Sequence, residues 1–241
     1  MKIRLLLLAV FPPGILCTGL LGAPISGTFN IAGTIKVTTS TITWQSNNLP
    51  FPADKTTIGP FASGDFSSLG GTDATVQDLD IATEPVGPVF PPALFMSFDA
   101  APTLPALDIN HIFPGIYSTA ACLAPPAVGQ TCTPSVPITP VISPFNFVNN
   151  PGGNGPEATA TFVFNGITAD GLSKWSGNFT SQFSVPYQTV LDTLFTTGIV
   201  INTYSGTIIV TPLPEPGPEA LVGIGLGLVA LSLKMRRPQQ R

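Results

Sequence analysis

Carboxylates are the most numerous ionisable groups in this chain, and four of them crowd one stretch. Asp65, Asp73, Asp78 and Asp80 fall within sixteen residues. Asp78-Leu79-Asp80 would set two carboxylates on one face of a strand, because side chains alternate along an extended chain. Hard cations such as Ca2+ take several oxygen ligands, so Asp73, Asp78 and Asp80 are the residues from which a calcium site would be built. The spacing is not that of an EF-hand loop, and aspartate is also a common turn residue. Solvated turns are therefore the simpler reading, and no cofactor is expected. The same residues, or Glu84 with Glu157, would form the carboxylate pair of a glycoside hydrolase. An acidic chain offers such pairs by composition alone.

Other chemistries are poorly supplied. His111 is the only histidine, so a Ser-His-Asp triad would have to use it, and no Gly-x-Ser-x-Gly elbow accompanies it. Zinc needs more nitrogen or sulfur ligands than the chain carries. There is no phosphate loop and no dinucleotide fingerprint. Trp44 and Trp175 offer rings that could stack on sugars, but large aromatics in a β-protein are more often core.

Charge narrows the partners. Only 9% of the 241 residues are charged, against roughly 25% in ordinary soluble domains. Between Pro24 and Pro212 three lysines and no arginine face eleven carboxylates, a net charge of −8. Without a basic patch this stretch is suited neither to nucleic acid nor to anionic lipid. Its polar positions are filled by Thr, Ser, Asn and Gly, as is common in extracellular β-proteins.

Three cysteines are present. Cys17 lies in the leader described below. Cys122 and Cys132 remain as an even pair ten apart, and in an exported protein a local disulfide is the favoured reading. The spacing suits neither a CxxC redox site nor zinc.

The elements that would position these groups read as β almost throughout. Phe29, Ile31, Ile35 and Val37 alternate with small or polar residues, and Ile42 and Trp44 continue with shifted parity, which predicts a bulge or turn near Thr39-Ser40. Leu94, Met96 and Phe98 alternate, as do Ala158, Ala160, Phe162 and Phe164. Asp170-Gly171 marks a turn, with Trp175, Phe179, Phe183 and Val185 following on one face. Ile199, Ile201, Ile208 and Val210 predict two closing strands across Ser205-Gly206. One helix is expected after Pro186, with Val190, Leu191, Leu194 and Phe195 at helical spacing and Gly198 as its stop. Residues 114–143 and 149–156 read as loops. The sum is an all-β domain, a β-sandwich or jelly-roll, with one short helix over residues 24–212.

The two ends read as targeting segments. Lys2 and Arg4 precede an apolar stretch, and Gly22-Ala23 supplies small residues, the layout of a signal peptide over 1–23. At the other end Pro214-Glu215-Pro216 is followed by an apolar run, Ala220 to Leu233, and then by Lys234, Arg236 and Arg237. A single transmembrane helix over about 218–233 would be roughly 25 Å long, close to a hydrocarbon core of about 30 Å. Its basic end stays cytoplasmic by the positive-inside rule, which puts the domain outside.

This order of motif, helix and basic stop over residues 213–241 resembles the PEP-CTERM sorting signal of Gram-negative bacteria. The resemblance implies recognition of Pro214, Glu215 and Pro216 by a membrane transpeptidase, exosortase, with Lys234, Arg236 and Arg237 as the cytoplasmic stop. It also implies release to the cell envelope or to an exopolysaccharide matrix, so polysaccharide joins the expected partners. With no catalytic constellation in the β domain, the chain reads as a non-enzymatic envelope or matrix protein of structural or adhesive type. The alternative is a secreted carbohydrate-active hydrolase using paired carboxylates.

Overall fold

The computed structural model describes residues 22–48, 53–135 and 143–214. Its strands are β1 (Gly27–Val37), β2 (Thr41–Ser46), β3 (Lys55–Ile58), β4 (Asp73–Val76), β5 (Leu79–Asp80) and β6 (Ala93–Phe98). They continue with β7 (Leu107–Ile112), β8 (Thr131–Cys132), β9 (Asn146–Gly152), β10 (Gly155–Thr168), β11 (Ser173–Phe183) and β12 (Val200–Pro212). One α-helix, α1 (Tyr187–Thr197), links β11 to β12.

Eight strands form a ring in the order β11-β12-β1-β3-β4-β6-β7-β10, and β10 pairs back with β11 to close it. All these pairings are antiparallel. The all-β reading with one short helix is thus met. The layered part of that reading is corrected: the strands close into a barrel-like sheet where a sandwich or jelly-roll would keep two sheets. Alternation reports which side chains point inward but not which strand lies next door, and a barrel and a sandwich share the same alternation.

Other expectations shift at element boundaries. Ser205 and Gly206 do not separate two strands; β12 runs unbroken through them, paired with β1 and β11 on both edges. Within the presumed loop 114–143 the chain forms a 3-10 turn, Ala120–Leu123, and the short β8. The turn of the 149–156 cluster narrows to the two residues between β9 and β10. The turn near Thr39-Ser40 is present, with the Thr38 hydroxyl accepting the Ser40 and Thr41 N–H groups.

The interior is aromatic. Phe179 packs against Trp44, Phe95, Phe162 and Phe164 at centroid separations of 5.0–6.4 Å. A second group, Phe29, Phe66 and Phe98, fills the space toward the β1 N-terminus. Burying one such side chain contributes about 1.5–3 kcal/mol. Polar atoms in the core are mostly paired: the Tyr204 hydroxyl, for example, donates to Thr56 Oγ1 at 2.6 Å. The indole N–H of Trp44 has no hydrogen-bond partner among the described residues.

Two long strands change neighbours part-way, and this shapes the molecule. β1 pairs with β3 through Ile31 and Ala32 but with β2 from Gly33 to Val37. A Cβ at Gly33 would meet the Gln45 carbonyl, so the close approach of β2 requires glycine there. β10 pairs with β7 from Phe164 to Thr168 but with β9 from Gly155 to Thr161. At one pole the ring is therefore complete. At the other, β2 leads to β5 and β9 to β8, and β5 and β8 do not pair with each other. Among the described residues the wall is unpaired between them.

Both ends of the described chain leave at the complete pole. Gly27 lies opposite Val210, the Leu213 N–H donates to the Leu172 carbonyl at 2.9 Å, and Ser173 Oγ donates to the Ile25 carbonyl at 2.8 Å. The open pole, where Val37 lies opposite Val200, is a whole β12 away, roughly 40 Å along the strand.

Candidate functional site

The open pole holds an apolar cavity of about 100 Å3. Its floor is the inward face of the barrel, from Ile35 and Ile42 on one side to Phe147 and Ala160 on the other. Its roof is α1, which turns Val190, Leu191, Leu194 and Phe195 toward it. The helix forms here for local reasons. Pro186 is extended and starts it, and Gly198 in the left-handed conformation ends it, its N–H donating to the Leu194 carbonyl.

The roof is fastened by the disulfide loop. Cys122 and Cys132 are joined, their Cα atoms 5.2 Å apart, as their spacing predicts. The Tyr187 hydroxyl donates to the Ala121 carbonyl at 3.0 Å, and Gln188 Nε2 donates to the Ala124 carbonyl at 3.0 Å and to Gln130 Oε1 at 2.9 Å. From β9, buried Asn149 accepts the Tyr187 N–H at 2.9 Å and donates to Gln188 Oε1 at 3.0 Å. Cys122, Cys132, Phe147, Ala158, Tyr187 and Val190 thus belong to a second small core outside the aromatic one.

The mouth is polar but not basic. Glu84 is the charged residue among the described lining, and the Thr38–Thr41 turn supplies hydroxyls beside it. Glu84 Oε2 accepts the Asp80 N–H at 3.0 Å and the Thr83 hydroxyl at 2.7 Å.

The aspartates of the sequence reading do not converge. Asp73 Oδ1 accepts from Ser46 Oγ, Asn48 Nδ2 and Thr57 Oγ1 at 2.8, 2.7 and 3.3 Å. Asp78 Oδ1 accepts the Trp44 N–H at 3.3 Å, and Asp80 Oδ1 accepts the Ala82 N–H at 2.9 Å. Each therefore has its own structural partner, and among the described residues no three His, Cys, Asp or Glu side chains gather as metal ligands. Asp78 and Asp80 are both exposed on either side of buried Leu79, but their carboxylates accept from different backbone N–H groups. Desolvation, then the nearby Asp54 charge, push the Asp78 carboxyl above its ordinary range.

His111 Nε2 lies 2.9 Å from the Gly87 carbonyl, which makes it the donor, and its ring packs on Phe113. Trp44 and Trp175 are buried; Trp175 stacks on Phe95 and donates Nε1–H to the Asp108 carbonyl at 2.9 Å. Both are core residues and offer no ring to a sugar. Glu157 pairs with Asn150 across the β9–β10 hairpin and is not in the cavity that Glu84 lines.

Pro214 is exposed just beyond β12. Glu215, Pro216, the span 218–233 and the basic stop of Lys234, Arg236 and Arg237 lie outside the described residues, as does 1–21 of the leader. No helix among the described residues is long and apolar enough to cross a membrane. Sequence reasoning found the helix and the disulfide but missed that one clamps the other over a cavity.

Fold and site together define an antiparallel, barrel-like β-sheet with a helix-roofed apolar cavity at one pole and both ends of the described residues at the other. No family model, no curated protein and no solved structure matches the chain.

Proposed function

We propose that this chain is an exported, non-enzymatic module of the bacterial cell envelope or its extracellular matrix, of structural or adhesive type. In this reading residues 1–23 direct export. The 213–241 tail, through Pro214-Glu215-Pro216, is read by an exosortase-like transpeptidase. Before processing, the helix over about 218–233 holds the domain on the outer side of the membrane; afterwards the domain sits at the surface or in the matrix.

The observation that supports this reading is that both ends of the described residues, near Ile25 and Leu213, lie at one pole. A domain whose leader junction and tail leave side by side can be tethered at that pole with the opposite one facing away from the membrane. The Cys122–Cys132 disulfide adds support, since such bonds persist in oxidising compartments.

The test is replacement of Pro214, Glu215 and Pro216 by alanine in a host that has the transpeptidase. Insertion depends on the apolar run and orientation on the basic stop, so an ordinary anchor tolerates this change. A recognition segment does not, because its stiff extended shape is lost. The expected result is full-length protein held in the membrane with surface display abolished. Processing equal to that of the unaltered chain overturns the sorting role.

A further inference from the structure

We propose that the cavity at the open pole binds the end of a single unbranched aliphatic chain bearing an uncharged polar head, of the class of long-chain alcohols and monoacylglycerols. This inference concerns the cavity alone and does not depend on how the chain is delivered.

Three observations choose that ligand. The space is mostly apolar: Ile35, Ile42, Phe147 and Leu191 set most of its wall, with Ser181 and Asn202 among the few polar side chains. Apolar walls of this kind lack contact atoms on one side, and an aliphatic chain supplies them. The volume is about 100 Å3, less than the ~150 Å3 cavity that admits benzene. That space holds only a few methylenes, so it takes the end of a chain rather than a whole one.

The mouth decides the head group. Glu84 brings negative charge there, no lysine or arginine is among the described lining, and the stretch from Pro24 to Pro212 carries −8 overall. An alkanoate would place its carboxylate beside Glu84, with no lysine or arginine among the described lining to pair with it. A hydroxyl head instead meets the Thr38–Thr41 turn and solvent. The roof has the means to admit a chain, because Leu194 and Phe195 line the cavity from the last turns of α1 while its first turn is tied down by Tyr187 and Gln188.

The test uses the full chain and two photoreactive probes, diazirine-bearing dodecanol and dodecanoate. Cross-linked peptides are mapped by mass spectrometry. The expected result is dodecanol labelling on the peptides carrying Ile42 and Leu191, with about tenfold less from dodecanoate at neutral pH. Ala160→Phe, which fills the floor, should remove the dodecanol label. Glu84→Lys, at the partly exposed mouth, should leave folding intact and raise dodecanoate labelling to the dodecanol level. The proposal is overturned if those peptides take no label, as when a second copy of the chain closes the mouth. It is equally overturned if both heads label the unaltered chain alike, or if Glu84→Lys changes neither probe.

Discussion

The phenol of Tyr187, at the first residue of α1, donates a hydrogen bond to the backbone carbonyl of Ala121, next to Cys122 and 66 positions earlier in the chain. This bond couples the roof of the cavity to the disulfide loop. Tyr187 is fully buried, and its burial also pushes the phenol pKa upward, so the donor stays protonated at neutral pH. Tyr187→Phe keeps the ring and removes the donor, leaving the Ala121 carbonyl without it. The expected loss is about 1 kcal/mol in urea unfolding, with the near-ultraviolet signal of the aromatic core retained.

Removing the disulfide should loosen the roof more than the barrel. A loop this short stabilises by about 2–3 kcal/mol. Replacing Cys122 and Cys132 by serine should lower stability by that amount. Amide exchange should accelerate first in α1 and the 3-10 turn, and least in β10, β11 and β12. Equal acceleration throughout would show that the loop and barrel unfold as one unit.

Asp108 is partly buried on β7, and desolvation raises its carboxyl pKa above the ordinary 3.8. The folded state therefore holds this proton more tightly than the unfolded state does. Stability from this group falls as pH rises from 3.8 through the raised value, and the ionised form is a cost at neutral pH. Asp108→Asn should stabilise the fold at pH 7, and the gain should vanish below the unfolded pKa. Thermal unfolding of both proteins across pH 3–7 checks the sign.

Lys55 and Asp99 give the opposite sign. Burial opposes ionisation of Asp99, but hydrogen bonds from Lys55 and Thr75 outweigh it and hold the carboxyl below its ordinary range. Its contribution is present above the unfolded pKa and is lost as pH falls through the folded one. Lys55→Met should cost no more than about 1 kcal/mol at neutral pH, since the pair is partly exposed. The difference should shrink in acid.

Two core positions should tolerate no change. Phe179→Ala empties the centre of the aromatic cluster and should cost about 3–5 kcal/mol, a large part of a typical 5–15 kcal/mol. At Gly166, beside the register shift between β10 and β7, a Cβ would collide with the Asp108 carbonyl and press on the Trp175 indole N–H. Gly166→Ala should break the Trp175–Asp108 bond, cost about 1–3 kcal/mol, and shift the tryptophan emission.

Much of the local structure was present in the sequence. The alternation of Ala158, Ala160, Phe162 and Phe164 marked β10 and its inward face, because a pleated strand has a two-residue period whatever it pairs with. Pro186 and Gly198 bounded α1, because proline fixes φ and glycine alone enters the left-handed region at little cost. Cys122 and Cys132 could pair because so few residues separate them. The tertiary structure decided the rest. Barrel closure depends on β10 meeting both β7 and β11. The open pole depends on Gly33 letting β2 replace β3 beside β1. Neither is encoded in the period of a single strand. The separation of Asp73, Asp78 and Asp80 onto different partners, and the burial of Trp44 and Trp175, likewise follow from which strands are neighbours. Composition names the groups a chain has; only packing decides which of them meet, and here it brought together apolar side chains and a helix rather than carboxylates.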